Sequence, residues 1–282
     1  MVNLVRKTNE LKSNIKSLAG IGLVPTMGNL HEGHLNLVRE SLSQHPVTVV
    51  TIFVNPTQFG VNEDLSSYPR TLDEDIEKLK KLESKNSKII VFSPEDEKEI
   101  YPSKPMINFS ISSLENKLCS LNRPGHFNGV MQVIHRLFKL ISPSSAYFGE
   151  KDYQQLMIIK AFSRELFPEI NIKAVPIMRE ASGLAMSSRN NYLSDKEKID
   201  ALTLRNTLSF LKHNYHASKR DSLSSFQKTI KKTVSNDDRW QYLELLDADN
   251  LLSPSSETKK LILAGAYKIN NVRLIDNTVF HI

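Results

Sequence analysis

The chain has 282 residues, 40% hydrophobic and 24% charged, the composition of an ordinary globular protein with one large domain or two unequal ones. Its net charge of +6, from 37 basic and 31 acidic residues, is scattered without a basic block, which argues against a nucleic-acid-binding tract. Cys119 is the single cysteine, which excludes an intrachain disulfide and argues against a cysteine-based metal cluster, and no apolar run approaches the roughly 18 residues of a membrane span.

The opening segment MVNLVRKTNELK lacks the apolar core of a secretory signal, and a cytoplasmic protein is expected. IGLVP (21–25), VTVVTIFV (47–54), KIIVF (88–92), SAYFG (145–149) and INIKAVP (170–176) are short apolar runs rich in β-branched and aromatic residues. Such runs predict strands of a sheet covered on both faces. Helical patterns fall between them, over 34–42, 73–83, 128–141 and 153–166. In the third, Val130, Val133, Ile134, Leu137, Phe138 and Ile141 recur at spacings of three and four and form one apolar stripe. This alternation predicts a parallel α/β sheet. Past residue 176 the pattern changes. A polar loop, SGLAMSSRNNYLS, leads to helices near 195–214 and 220–234, and then to WQYLELLD, KKLILAGAYK and NVRLID as antiparallel strands.

In an open α/β sheet, ligands sit beyond the carboxyl ends of the strands. PTMGNLHEGH (25–34) directly follows the first apolar run. Pro25 and Gly28 shape a turn there, and His31 and His34, three residues apart, share one face of the helix that begins. Gly33 leaves room for a ligand against the backbone, and a helix N-terminus attracts phosphate. Imidazoles at that place can donate to phosphate oxygens. Zinc is disfavoured, because the HExxH pattern is absent and no third ligand stands out. FVNPTQFG (53–60) ends a second strand, and its Asn55 and Gln58 suit a ligand with hydroxyls and carbonyls. RPGHFNGV (123–130) adds His126 at a corner bracketed by glycines.

YFGEKDYQQL (147–156) closes a third strand at Gly149. Lys151 is a point charge for a phosphate, Asp152 can cap a helix or bind ribose or metal, and Gln154 and Gln155 are neutral amides. In MSSRNNYLS (186–194), Ser187, Ser188 and Arg189 combine two hydroxyls with a planar guanidinium, a set that suits a polyphosphate. Taken singly, each stretch also reads as an ordinary turn, corner or capped helix start. Taken together, they converge on a phosphate-rich nucleotide and a small polar partner.

PTMGNLHEGH, FVNPTQFG, EDLSSYPRT, RPGHFNGV, FGEKDYQQL, GLAMSSRNNYLS, YLELLD and RLIDN, in this order from about residue 21 to 277, resemble the motifs of the pantothenate synthetase (pantoate–β-alanine ligase) family. HEGH resembles the HIGH-type signature of the nucleotidyltransferase superfamily, and MSSRN stands where that superfamily carries a mobile phosphate-binding loop. The resemblance implies a Rossmann-like, doubly wound parallel sheet over 1–176 that binds ATP and pantoate. The change of pattern past residue 176 predicts a smaller α+β domain over 177–282, with the MSSRN phosphate loop at its entry. The implied activity is ATP-dependent condensation of (R)-pantoate with β-alanine through an enzyme-bound pantoyl adenylate, giving pantothenate, AMP and pyrophosphate. Magnesium and a homodimer are implied with it; nucleic acid and membrane partners are not expected.

By the same resemblance, ATP meets Met27, Gly28, Asn29, Leu30, His31, Glu32, Gly33 and His34 in the first motif. Further contacts fall on Gly149, Glu150, Lys151 and Asp152, on Met178 through its backbone, and on Met186, Ser187, Ser188 and Arg189. His34, His31, Lys151 and Arg189 are the implied catalytic set, with His34 as proton donor. Gln58, Gln155 and Met27 are implied to hold pantoate, and Gln58 to lie near β-alanine. Metal ligands stay unassigned: Glu74 and Asp75 in DEDIE also read as a helix N-terminus favoured by its dipole. A rival is another adenylyl- or cytidylyltransferase of the same fold, which HEGH and SSRN alone permit; FVNPTQFG and FGEKDYQQL argue against it.

Overall fold

The computed structural model describes residues 2–61, 63–84, 87–103, 108–111, 114–217 and 223–282. The chain divides into two compact units. The first gathers Met1–Ile111, Arg123–Glu150 and Ile158–Pro176; the second gathers Ser112–Asn122, Lys151–Met157 and Ile177–Ile282. The elements run β1 (Val2–Val5), α1 (Thr8–Ile15), β2 (Ile21–Thr26), α2 (Glu32–Gln44), β3 (Val47–Ile52), α3 (Leu72–Lys80), β4 (Lys88–Phe92), α4 (Cys119–Asn122), α5 (His126–Ile141), β5 (Ser145–Gly149), α6 (Tyr153–Leu166), β6 (Asn171–Val175), α7 (Asp195–Ala217), α8 (Leu223–Ser235), β7 (Trp240–Asp247), β8 (Lys260–Ile269) and β9 (Val272–His281).

The first unit is a six-stranded sheet of order β1-β4-β3-β2-β5-β6, with every neighbouring pair parallel. Order reverses between β2 and β5. Chains leaving the two carboxyl ends there diverge and leave a crevice, the usual ligand position of this architecture. Every residue of β3 is buried, and β2 and β4 are buried but for Pro25 and Lys88, which is why these strands read as unbroken apolar runs. Val24, Val50, Val91, Leu35, Val38, Leu79 and Tyr147 build one core of this unit.

Two strands depart from expectation. β6 is an edge strand with only Val175 buried, so its run is not covered on both faces. β1 pairs with β4 at the other edge, Val2 opposite Ile89 through Val5 opposite Phe92, and again a single residue, Val5, is buried. A four-residue edge strand with one buried side chain carries almost no periodicity, so the sequence left it and α1 unassigned.

The second unit is an antiparallel meander, β7-β8-β9, with α7 and α8 packed against it. Leu204, Leu208 and Leu211 of α7 and Phe226 and Ile230 of α8 share a core with Trp240, Leu243, Leu263 and Tyr267. β9 continues past the expected NVRLID to His281, pairing with β8 along its full length. The first residues of the helix expected over 220–234 lie outside the described residues. Among the described residues, no helix is long and apolar enough to cross a membrane.

Candidate active site

At the carboxyl end of β2 the chain turns through Met27–His31 into α2. Gly28 and Asn29 both adopt positive φ, 84° and 49°. A Cβ on Gly28 would be strained there and would crowd Ile52 and the carboxylate of Asp75 at 3.0 and 3.2 Å. Asp75 is fully buried on α3. Its two oxygens accept from the backbone N–H groups of Asn29 (2.8 Å) and Leu30 (2.7 Å), and from the Thr71 hydroxyl at 3.3 Å. Lys78 donates to the Leu30 carbonyl at 2.8 Å, with its ammonium 3.9 Å from Asp75. Burial pushes the Asp75 carboxyl above its ordinary value, and the bonds from Leu30 and Asn29 offset only part of that. Asp75 is thus a clamp on the turn, a part of the site that sequence reasoning left as a helix start. A signal was present: Leu72, Asp75, Leu79 and Leu82 follow one helical stripe, with an acid where an apolar residue belongs.

His31 is the N-cap of α2, in extended conformation, rather than a residue within its first turn. Its Nδ1 accepts from Gly33 N–H at 3.1 Å, and His34 Nδ1 accepts from His31 N–H at 3.4 Å. The pair forms a capping box made of imidazoles. The rings stack, with centroids 4.0 Å apart and planes inclined by 28°. A neutral imidazole that accepts at Nδ1 carries its proton on Nε2. Both rings therefore hold a defined tautomer with Nε2–H as the donor. Four backbone N–H groups near this helix start, those of Asn29, Leu30, His31 and Gly33, are already used. Fewer backbone N–H groups are therefore open at this helix start than the sequence suggested.

Gln58 lies in a short turn, Pro56–Gln58, after β3. Asn55, buried, donates to Gln58 Oε1 at 3.0 Å and to the Gly129 carbonyl at 3.1 Å. Asn55 Oδ1 accepts from Thr57 Oγ1 (2.8 Å) and the Tyr101 hydroxyl (3.0 Å). Burial pushes the Tyr101 phenol up to about 12, so it stays a donor. With its carbonyl occupied, Gln58 presents its NH2 group, which lies 3.2 Å from the Met27 sulfur. The structure thus brings Met27 and Gln58 together.

The Gln58 main-chain carbonyl accepts from His126 Nδ1 (2.8 Å) and Arg123 (3.4 Å), and Arg123 grips Glu63 through two bonds of 2.7 and 2.5 Å. Burial pushes the Glu63 carboxyl up, but the Arg123 bonds and charge outweigh it and hold the group below its ordinary value. His126 is therefore a buried support for Gln58.

α5 reaches this turn at Gly129, where a Cβ would overlap the Thr57 carbonyl and lie 2.6 Å from Gln58 Cα. Gly129→Ala is expected to lower stability by about 1–3 kcal/mol through overpacking. Urea denaturation checks it; a variant as stable as the parent would mean that helix and turn are not in contact. Gly149 closes β5 at the same sheet edge as Met27, with Glu150 following, and the space where a Gly149 Cβ would stand is open.

The remaining candidates belong to the second unit. Lys151 Nζ lies 3.6 Å from Asp152 Oδ2, and the Lys151 carbonyl accepts from Asn277 at 3.0 Å. Gln154 is buried and spends its amide on Cys119 N–H, Leu114 O, Lys117 O and Ser120 Oγ, which removes it from the ligand-binding amides. Gln155, the next residue of α6, is only half-buried. Met178 and Met186 are paired, Met186 N–H donating to the Met178 carbonyl at 3.0 Å across a turn that Gly183 closes with φ of 93°. Ser187 Oγ accepts from Arg189 N–H at 3.3 Å, which starts the short turn Ser188–Tyr192. Buried Asn190 ties that turn to Glu180 Oε1 (2.7 Å) and the Ala185 carbonyl (3.1 Å). Among the described residues, no group of three His, Cys, Asp or Glu side chains could hold a metal ion.

A family model described as pantoate-beta-alanine ligase matches residues 3–279. Pantothenate synthetase of Bacillus pumilus (strain SAFR-032) is 40% identical over 285 residues, covering 100% of this chain and 97% of that protein. The crystal structure of pantothenate synthetase from Thermus thermophilus matches with a TM-score of 0.87 at 34% identity, over 98% of both chains. Pantoate-beta-alanine ligase from Francisella tularensis, complexed with beta-gamma ATP and beta-alanine, matches with a TM-score of 0.75 at 32% identity, over 99% of this chain and 97% of that one.

Proposed function

Given that this chain belongs to the pantoate–beta-alanine ligase family, we infer how its own residues carry the reaction. The enzyme condenses pantoate with β-alanine at the expense of ATP and forms pantothenate. In the first step a pantoate carboxylate oxygen bonds to the α-phosphorus, the bond to the β-phosphate oxygen breaks, and pyrophosphate leaves. In the second, the β-alanine amine bonds to the acyl carbon of the adenylate, AMP leaves with the acyl–oxygen bonding pair, and the amine gives up a proton.

A carboxylate is a nucleophile at neutral pH, so the first step needs no strong base. It needs in-line positioning and donors aimed at the charge that develops on phosphate. In this reading His34 and His31 direct Nε2–H toward the ATP phosphates, and Lys151 and Arg189 supply fixed positive charge. Gln58, Met27 and Gln155 hold pantoate, with Gln58 also bordering β-alanine. A neutral NH2 donor orients the carboxylate without locking it in a salt bridge. Gly28, Asn29, Leu30, Glu32, Gly33, Gly149, Glu150 and Asp152 border the nucleotide. Met186, Ser187 and Ser188 border it as well. Met178 meets adenine through its main chain, whose carbonyl already accepts from Met186 N–H.

The observation that carries this reading is the pair of Nδ1 caps, which set both rings in the tautomer that donates from Nε2. Magnesium favours phosphate oxygens and water over a dedicated protein cage. With no three-ligand carboxylate or histidine group among the described residues, the ion would arrive on the nucleotide phosphates, and Asp152 is the exposed carboxylate beside Lys151. A cytoplasmic homodimer completes the proposal.

The test is incubation with ATP, magnesium, D-pantoate and β-alanine, followed by mass spectrometry. Pantothenate and AMP are expected in equal amounts, with ATP–pyrophosphate exchange that requires pantoate. Exchange supported by an amino acid and indifferent to pantoate would overturn the reading in favour of another adenylyltransferase.

A further inference from the structure

The second unit contains a concavity in which Lys151, Ser187, Arg205 and Asp276 stand over the apolar side chains of Leu204 and Leu274. Its charges do not balance. Asp276 is 4% exposed, and Arg179 grips it through two bonds of 2.7 and 2.9 Å. Asp276 also accepts from Asn277 N–H at 2.8 Å. Its negative charge is therefore already committed. Among the described residues, Lys151 pairs with the exposed Asp152, at 3.6 Å. Arg205, half-buried on α7, makes no hydrogen bond or ion pair with any described residue. Burial, and then the neighbouring charge of Arg179, push its guanidinium below its ordinary value, and the pull of Asp276 offsets less. A cation held against desolvation and a like charge gains most when an anion arrives.

The position of Arg205 is also well defined. It follows Leu204, which is 2% exposed in the core of this unit, so the start of its side chain is anchored while its donors reach the concavity. A guanidinium matches two phosphate oxygens at once, which a lysine cannot do.

We propose that Arg205 binds the pyrophosphate end of the nucleotide in this concavity, together with Lys151 and Ser187, and holds the leaving group as the α-phosphorus is attacked. The proposal rests on the ligase reading above and adds a residue to it. Arg205 carried no signal in the sequence, because ALTLRNTL reads simply as an amphipathic helix.

Calorimetric titration of the full chain with inorganic pyrophosphate tests it. Arg205→Gln is expected to weaken pyrophosphate binding roughly tenfold or more and to raise the KM for ATP in parallel. The KM for β-alanine and the melting temperature should stay in place. Arg205→Lys should recover part of the affinity, and Lys228→Gln, which removes an exposed charge on α8, should behave as the parent. Unchanged pyrophosphate affinity in Arg205→Gln overturns the proposal, as does an equal loss in Lys228→Gln, which would reduce the effect to net charge. If Arg205→Gln melts early, the Lys variant decides: pyrophosphate affinity equal to the parent's, without the fork, also overturns the bidentate role. Failure of the parent to make pantothenate would sink the ligase reading instead, and the pyrophosphate titration would still judge Arg205.

Discussion

Asp75→Ala is expected to slow pantoyl adenylate formation by roughly 100-fold, the penalty for misplacing reacting groups by about 1 Å. Asp75 touches no substrate in our reading; it is a positioning residue for the turn that carries Met27 and the two histidines. Its carboxylate satisfies two buried N–H groups, of Asn29 and Leu30. Leaving both unmet costs about 1–3 kcal/mol each, and relief of the buried charge offsets part, for a net loss of about 2 kcal/mol. Asp75→Asn keeps one acceptor and points an NH2 at the second N–H, so its activity should fall between alanine and parent.

The pH dependence separates this role from a plain packing role. Burial raises the Asp75 carboxyl above 3.8. A raised acid binds its proton more tightly folded than unfolded. Its contribution is fully present below the unfolded value and is lost as pH rises through the folded one. The stability of the parent relative to Asp75→Asn should therefore decline from acid toward neutral pH. Single-turnover pyrophosphate release and urea denaturation across pH measure both effects. Parent-like adenylation in Asp75→Ala would remove Asp75 from the site.

How much of this was legible in the sequence depended on burial. β2, β3, β4 and β5 are almost wholly buried, and each showed as an unbroken apolar run. β1 has one buried residue and showed nothing. The place of PTMGNLHEGH at the end of β2, leading into α2, could be read. The histidine geometry could not. Spacing puts residues on one face of a helix, but His31 precedes the helix, and its tautomer follows from bonds that depend on backbone angles. FVNPTQFG displayed two amides without showing that Asn55 is spent inside the fold, on Gln58 Oε1 and the Gly129 carbonyl. Gln154 and Gln155 are alike in sequence; one turn angle on α6 sends the first into the core of its unit. Asp75 was half legible, as an acid in an apolar stripe, while the two N–H groups that explain it lie 45 and 46 residues earlier.

His34→Ala is expected to cut adenylate formation by roughly 100-fold or more with the fold intact, because a donor aimed at the transferring phosphate is lost. Alanine alone would not say which nitrogen matters, since His34 has two jobs. Nδ1 caps the His31 N–H, at a length of 3.4 Å that marks a weak bond, and Nε2 carries the proton. Two amide substitutions divide these jobs. Asparagine sets an oxygen close to where Nδ1 stands and has nothing at Nε2; glutamine reaches the Nε2 position with an N–H and leaves the cap unmade. If phosphate recognition is the function, His34→Gln should retain more adenylation than His34→Asn, while His34→Asn should melt closer to the parent. Loss of the cap costs about 1 kcal/mol at most for so long a bond, too little to explain a hundredfold rate effect through stability. Should asparagine instead restore the rate and glutamine fail, the histidine acts by shaping the helix start, and the single ring donor of His31 would be left to meet the phosphates without it.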